Sequence, residues 1–316
     1  MMDYRFCNYE GRFVYSTKEY LEAFRNDYFN VVYNYKNRKK MLEEIERIMD
    51  FNKSADLYAL AHLLYDDKNS KSNVSRAFVI ADLLVSWNYT PAFYLVGQMY
   101  YRGIGVEKDW NKFFELTKKS AESNFIIAKN ALAVAYFSGI GCAVNPSEGR
   151  KLLSECIECN YGMAYFNMGQ SYMAGKNGYP KDEYKGFEYI KIATNQYNSR
   201  ASYRLGLLYL SGTGCTKNIK KALEELAIAA TLGNINAQVK LGDLYYFGEE
   251  VKKDYEKAYS YYLMSAEQGD AYSMYSLGYM IVHKEKAFVE RYEGISWLQK
   301  ASFNGYEEAT ELLKKL

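Results

Sequence analysis

One spacing constrains this chain more than anything else in it. The stretch Ala237–Gly248, AQVKLGDLYYFG, carries a large apolar residue, then glycine, then tyrosine three positions later, and the same frame returns along almost the whole sequence. With Gly242 as the anchor, equivalent small residues stand at Ala61, Gly97, Ala133, Gly169, Gly206 and Gly278, at intervals of 36 residues with a single 37. Self-similarity at one fixed period of this length is the signature of stacked supersecondary units.

The columns around the anchor define a first helix, A. The residue before it is always large and apolar: Leu60, Val96, Leu132, Met168, Leu205, Leu241 and Leu277. Three positions after it come Leu64, Tyr100, Tyr136, Tyr172, Tyr209, Tyr245 and Ile281. These offsets fall on one helical stripe, with a small group where another helix comes close. Sixteen or seventeen residues past the anchor a second column, Ala77, Phe113, Gly149, Gly186, Ala222, Ala258 and Gly294, begins helix B. A third, Leu84, Ser120, Cys156, Ala193, Ala229, Ser265 and Ala301, follows on the same helix. Small residues on both partners permit close antiparallel packing. Each unit closes at Asn52, Asn88, Asn124, Asn160, Tyr197, Gly233, Gly269 or Gly305. Asparagine and glycine tolerate the left-handed conformation that ends a helix.

The frame divides the chain into residues 1–51, an N-terminal cap; 52–304, the repeat array; and 305–316, a C-terminal capping helix. Within the cap, the aromatics about Asn8–Gly11 suggest a short hairpin, followed by helices from Ser16 or Thr17 to Tyr35 and over Arg38–Asp50. The basic run Lys36, Arg38, Lys39, Lys40 sits where cations suit a helix end, with a docking patch as the alternative. Pro91 and Pro146 fall at helix starts and Pro180 in a loop, so none interrupts a predicted helix.

Bulk properties exclude more than they identify. Hydrophobic residues make up 49% of the chain, enough for a substantial core. A net charge of +2 and a pI of about 8.0 give no electrostatic case for nucleic acid or an acidic membrane surface. No uncharged run reaches the length of a membrane span, so no membrane insertion is expected. Five cysteines, an odd number that does not recur with the repeats, argue against a disulfide framework and for a reduced, cytoplasmic protein.

The large-Gly-x-x-Tyr of helix A, the Gly-x-Gly loops at Gly103–Gly105, Gly139–Gly141 and Gly212–Gly214, and the Asp/Asn start of an Ala-rich helix B resemble the Sel1-like repeat family, a relative of the tetratricopeptide repeat. The resemblance covers roughly residues 52–311, with Ala61 and Ala133 in place of the anchor glycine. It implies an all-α fold, a right-handed α/α superhelix (solenoid) of about seven helix-turn-helix repeats with helical caps, helix A lining the concave side. It also implies a scaffold or adaptor role with a protein or peptide partner. Two alternatives accompany that role. One is an inhibitor or immunity-type protein that blocks a toxin or enzyme. The other is a hydrolase related to a cysteine-rich branch linked to β-lactams, whose paired cysteines this chain lacks.

Tetratricopeptide geometry places the concave side chains three before, one after and four or five after each anchor. Those positions hold Tyr58, His62 and Tyr65, then Tyr94, Gln98, Tyr101 and Arg102, then Phe137, Phe166 and Gln170. Tyr203, Asp243, Tyr246, Tyr275, Tyr279 and His283 continue the surface. Aromatics interleaved with amides and charges suit a peptide groove. The competing reading is that these tyrosines pack on neighbouring units or line a closed superhelix.

Elsewhere the chemistry is thin. Cys156 and Cys159 form a C-x-x-C late in helix B with no second ligand pair, which favours packing over redox or metal chemistry. The Gly-x-Gly loops lack the strand and remaining glycines of a phosphate site. His62 and His283 stand at opposite ends of the array. No cofactor, metal site or catalytic set is expected, and the chain does not read as an enzyme. The packing scheme has its own test: Gly206→Leu overpacks the A/B contact and is expected to cost at or above the usual ~1–3 kcal/mol, read as a fall in the denaturation midpoint; full-strength folding would sink the scheme.

Overall fold

A computed structural model describes residues 54–66, 71–196, 198–283 and 290–316. The proposed hairpin and helices of residues 1–51, Cys7, the basic run, Asn52 and Tyr197 lie outside the described residues. Among the described residues there are fifteen α-helices and no strand. They are α1 (Ser54–Asp66), α2 (Lys71–Ser86), α3 (Thr90–Arg102), α4 (Trp110–Glu122), α5 (Ile126–Ser138), α6 (Pro146–Glu158), α7 (Gly162–Ala174) and α8 (Glu183–Thr194). Then follow α9 (Ser199–Ser211), α10 (Ile219–Thr231), α11 (Ile235–Phe247), α12 (Tyr255–Ala266), α13 (Ala271–Val282), α14 (Arg291–Phe303) and α15 (Glu307–Leu313). Odd-numbered helices are A and even-numbered ones B, an all-α solenoid of helix-turn-helix repeats. The chain forms two units, one ending at Ala164 and the other starting at Tyr165.

In both units helix A meets its own helix B backbone to backbone. A methyl on Gly169 would lie 2.9 Å from the Gly186 carbonyl oxygen, and one on Gly278 would lie 2.8 Å from that of Gly294. Where alanine replaces the glycine, at Ala61 and Ala133, the side chain is completely buried. In the first unit Leu60, Leu64, Ala77 and Ala81 form the centre of such a seam; in the second, Leu205, Leu208 and Ala222 do.

The loop from A to B repeats its hydrogen bonds. Gly103, Gly139, Gly212 and Gly248 end their A helices in the left-handed conformation. Asp109, Asn145, Asp182, Asn218 and Asp254 then cap helix B, each accepting from the backbone N–H three residues on. Each cap's own N–H donates to the carbonyl of the tyrosine column, for instance Asp109 to Tyr100 and Asp254 to Tyr245, at 3.0 and 2.9 Å. The units close as expected: Asn88, Asn124, Asn160, Gly233, Gly269 and Gly305 all take positive φ.

The second glycine of each Gly-x-Gly loop is explained by what it touches. A methyl on Gly141 would sit 2.0 Å from the Trp110 carbonyl oxygen, and one on Gly214 2.1 Å from that of Glu183. The loop therefore lies directly on the first turn of the preceding B helix, so these glycines serve repeat-to-repeat contact. At Gly305, with φ +84, nothing lies within 4 Å. Gly305→Ala should therefore cost only the left-handed strain, on the order of 1–2 kcal/mol. Gly214→Ala adds a backbone clash to a similar strain and should cost clearly more, at or beyond a further ~1–3 kcal/mol. Chemical denaturation of the two variants checks this; equal losses would refute the contact.

Candidate functional site

The sixteen concave candidates separate by column. At three before the anchor, Tyr58 packs on Tyr89, Tyr94 on Phe125 and Tyr275 on Tyr306, with ring centroids 5.7, 6.0 and 5.0 Å apart. Tyr89, Phe125 and Tyr306 each stand at the N-cap of the following A helix. This column joins successive A helices. Burial accordingly pushes the Tyr94 hydroxyl up to about 12. Tyr203 packs beside the Leu226–Leu241 cluster and Phe166 beside the cluster holding Met173 and Phe187.

Four after the anchor, side chains turn into their own hairpin. Tyr65 is buried, Tyr101 lies 5.0 Å from the Phe113 ring, and Phe137 covers Gly149. Tyr246 packs on Phe247, Tyr255 and Tyr262. The bulk of these rings fills the space that the glycines and alanines of helix B leave open.

Tyr101 nonetheless stays exposed, and the other candidates that reach solvent without a ring partner on the next helix lie in the columns one and five after the anchor. In the first unit they hold His62 and Asp66 of α1, Nδ1 to Oδ2 at 3.8 Å, and Gln98 and Arg102 of α3. The exposed Arg102 guanidinium lies 5.9 Å from the centroid of Tyr65 and has no carboxylate within ion-pairing distance among the described residues. In the second unit Gln170 is half-buried, and His283 stacks on Tyr279 at 4.0 Å while its Nδ1 lies 2.9 Å from the Tyr279 carbonyl oxygen. The same columns also hold Leu207, Ser211 and the exposed Phe247, to which the register points equally.

Asp243 is engaged within the molecule. Its Oδ1 accepts from Tyr262 of α12 at 2.8 Å and Tyr272 of α13 at 2.9 Å, fastening three helices. Tyr262 is fully buried against Gly242. Burial and the Asp243 carboxylate both favour the protonated phenols, raising Tyr262 and pushing Tyr272 up to about 12.

The cysteines pack. Cys156 is buried with its Sγ 3.7 Å from the Ile126 carbonyl oxygen, and burial pushes its thiol up to about 12. Cys142 and Cys215 point at the carbonyls of Ala135 and Leu208, both at 3.6 Å. All four described cysteines are free. Among the described residues no group of three or more His, Cys, Asp or Glu could hold a metal ion, and no helix is long and apolar enough to cross a membrane.

Repeated helix pairs with a small-residue seam and capped Gly-x-Gly loops define an α/α repeat protein of the protein-interaction class. The Sel1 repeat matches residues 91–125, 126–160, 162–198, 199–234, 235–270 and 271–306, and the chain belongs to the Sel1 repeat family. The α1–α2 pair precedes the first matched repeat in the same register.

Among solved structures, a Sel1 repeat protein from Oxalobacter formigenes is 26% identical, with a TM-score of 0.61 over 78% of this chain and 99% of its own. The Escherichia coli protective antigen c5321 is 25% identical, with a TM-score of 0.58 over 86% of this chain; the match spans only 58% of c5321. The immunity protein Pa5087 from Pseudomonas aeruginosa shares the fold at 20% identity, with a TM-score of 0.52 over 68% of this chain and 81% of its own. No curated protein matches the chain.

The Tyr272 environment has a consequence in alkali. Between its ordinary value, 10.0, and about 12 the native state keeps a proton that the unfolded chain has released, so stability falls as pH rises through that window. Tyr272→Phe should flatten part of this fall in thermal melts recorded from about pH 9 to 12. An unchanged slope would show that Tyr272 ionises as freely in the native state.

Proposed function

We propose that the chain binds a protein partner through the accessible columns of its A helices, around His62, Gln98 and Arg102 in the first unit and Gln170, Tyr279 and His283 in the second. The observation that carries this reading is the division among columns. Those three before and four after the anchor are taken up largely in helix packing, with Tyr101 keeping an exposed edge. Apart from Asp243, which is bound internally, the positions one and five after it present amide, imidazole, guanidinium and ring edges. Such a mixture satisfies a partner's backbone and side-chain polar groups while burying ring area. Free cysteines without a repeat-linked pairing support a cytoplasmic setting.

A second reading makes the partner a toxin or enzyme that binding silences. It is favoured by the immunity protein that shares this architecture, a likeness of fold at 20% identity. The two readings use the same surface and differ in what happens to the partner. Adding this chain at equimolar ratio to its purified partner distinguishes them: lost catalytic or toxic activity supports inhibition, and unchanged activity supports a scaffold.

Gln98→Ala combined with Arg102→Ala tests the surface itself. Both side chains lie outside the helix seams, so stability should change by about 1 kcal/mol or less. Capture of the partner from native lysate should fall about tenfold or more, the loss expected for central contacts. Undiminished capture would remove the first unit's face from the binding surface.

A further inference from the structure

A groove of about 450 Å³ lies in the second unit between α9 and the end of α11. Leu207 and Leu210 of α9 and Leu244 of α11 give it an apolar floor, and Arg204 and Lys240 stand over it. Arg204, Leu207 and Ser211 follow one another at helical spacing, so α9 offers the groove a single continuous stripe.

The two cations occupy the same repeat position, two before the anchor. The other units hold Ala59, Leu95, Ala131, Asn167 and Ser276 there, so the fold itself demands no charge at that place. Neither cation has a carboxylate within ion-pairing distance among the described residues. The Arg204 Nε is shielded from solvent and has no hydrogen-bond acceptor among the described residues. The guanidinium's charge is thus uncompensated among the described residues, and the part of the side chain that lines the groove is what an incoming carboxylate would meet. Of the two acids on the rim, Glu250 is neutralised by Lys217 at 2.6 Å. Glu249 alone opposes Arg204 and Lys240, so the lining is positive on balance.

We propose that this groove takes a polypeptide stretch in which an acidic residue adjoins an aliphatic one. The carboxylate sits between Arg204 and Lys240, where the guanidinium supplies a charge-assisted hydrogen bond. The aliphatic side chain covers Leu207, Leu210 and Leu244. This assignment rests on the protein-binding reading and gives the partner a chemistry.

Three fluorescein-labelled eight-residue peptides, alternating leucine with glutamate, glutamine or lysine, test it by fluorescence anisotropy on the full chain. The glutamate peptide is expected to bind about tenfold or more tightly than the glutamine peptide, and the lysine peptide weakest. Arg204→Glu with Lys240→Glu should reverse that order, with the circular dichroism spectrum and melting retained. Should the double variant fail to fold, Arg204→Gln with Lys240→Gln must abolish the preference for glutamate. Equal affinity for the three peptides, no binding of the glutamate peptide, or a preference that survives both double variants overturns the proposal. If that surviving preference disappears in Gln98→Ala/Arg102→Ala, the protein-binding reading stands and only the groove is lost.

Discussion

The structure depends on the contact in which helix A and helix B touch through their backbones. At Gly169 and Gly186 the approach is reciprocal: a methyl on either residue would meet the other's carbonyl oxygen at 2.9 or 3.0 Å. Gly278 and Gly294 repeat the arrangement at 2.8 and 3.1 Å. Such proximity lets the large apolar residue beside each anchor reach across the seam, and Leu60, Leu205, Leu241 and Leu277 are all at most 1% exposed. Burying each of these contributes roughly 1.5–3 kcal/mol relative to exposure. A hairpin with larger anchors would hold its helices apart and leave that area wet.

Once the helices are that close, the rest of the unit has few choices. The A helix must stop at once, which the left-handed Gly103, Gly139, Gly212 and Gly248 permit. The chain then has to restart as helix B, and the Asp or Asn cap does this while its N–H ties back to the tyrosine column. Lysines in the first turn of B lie over the same tyrosines: Lys112 over Tyr100, Lys221 over Tyr209 and Lys257 over Tyr245, at 4.8, 5.6 and 4.9 Å. The high tyrosine content is therefore mostly a packing inventory. Rings fill the gaps that small residues create, and hydroxyls such as that of Tyr262 find an internal acceptor.

The repeat frame was legible because packing imposes one requirement at each anchor, and a requirement met seven times leaves columns in the sequence. The caps, the left-handed closures and the direction of every described helix followed from it. Side-chain destinations were less legible. Tyr94 and Phe137 occupy positions assigned to the inner face by tetratricopeptide geometry, yet Phe125 and Gly149 take them up, and neither partner is marked by helical spacing alone. Asp243 looked like a surface charge because its tyrosine partners lie 19 and 29 residues away on other helices. Arg204 and Lys240 were visible in the register but fall outside the columns that the family analogy selects.

That last contrast separates scaffold from function in this architecture. Where every unit has the same kind of residue, packing suffices as an explanation, as with the buried column of Ser120, Cys156, Ala193 and Ala229. Where one pair of neighbouring units departs from the rest, and the departure places charge beside apolar surface without an internal partner, packing explains nothing. Arg204 and Lys240 meet that condition; Asp243, with two hydroxyls bound, does not. A repeat protein has many nearly equivalent surfaces, so its specificity must come from breaking its own symmetry, and the α9–α11 groove is one place where this chain breaks it with unpaired charge beside apolar surface.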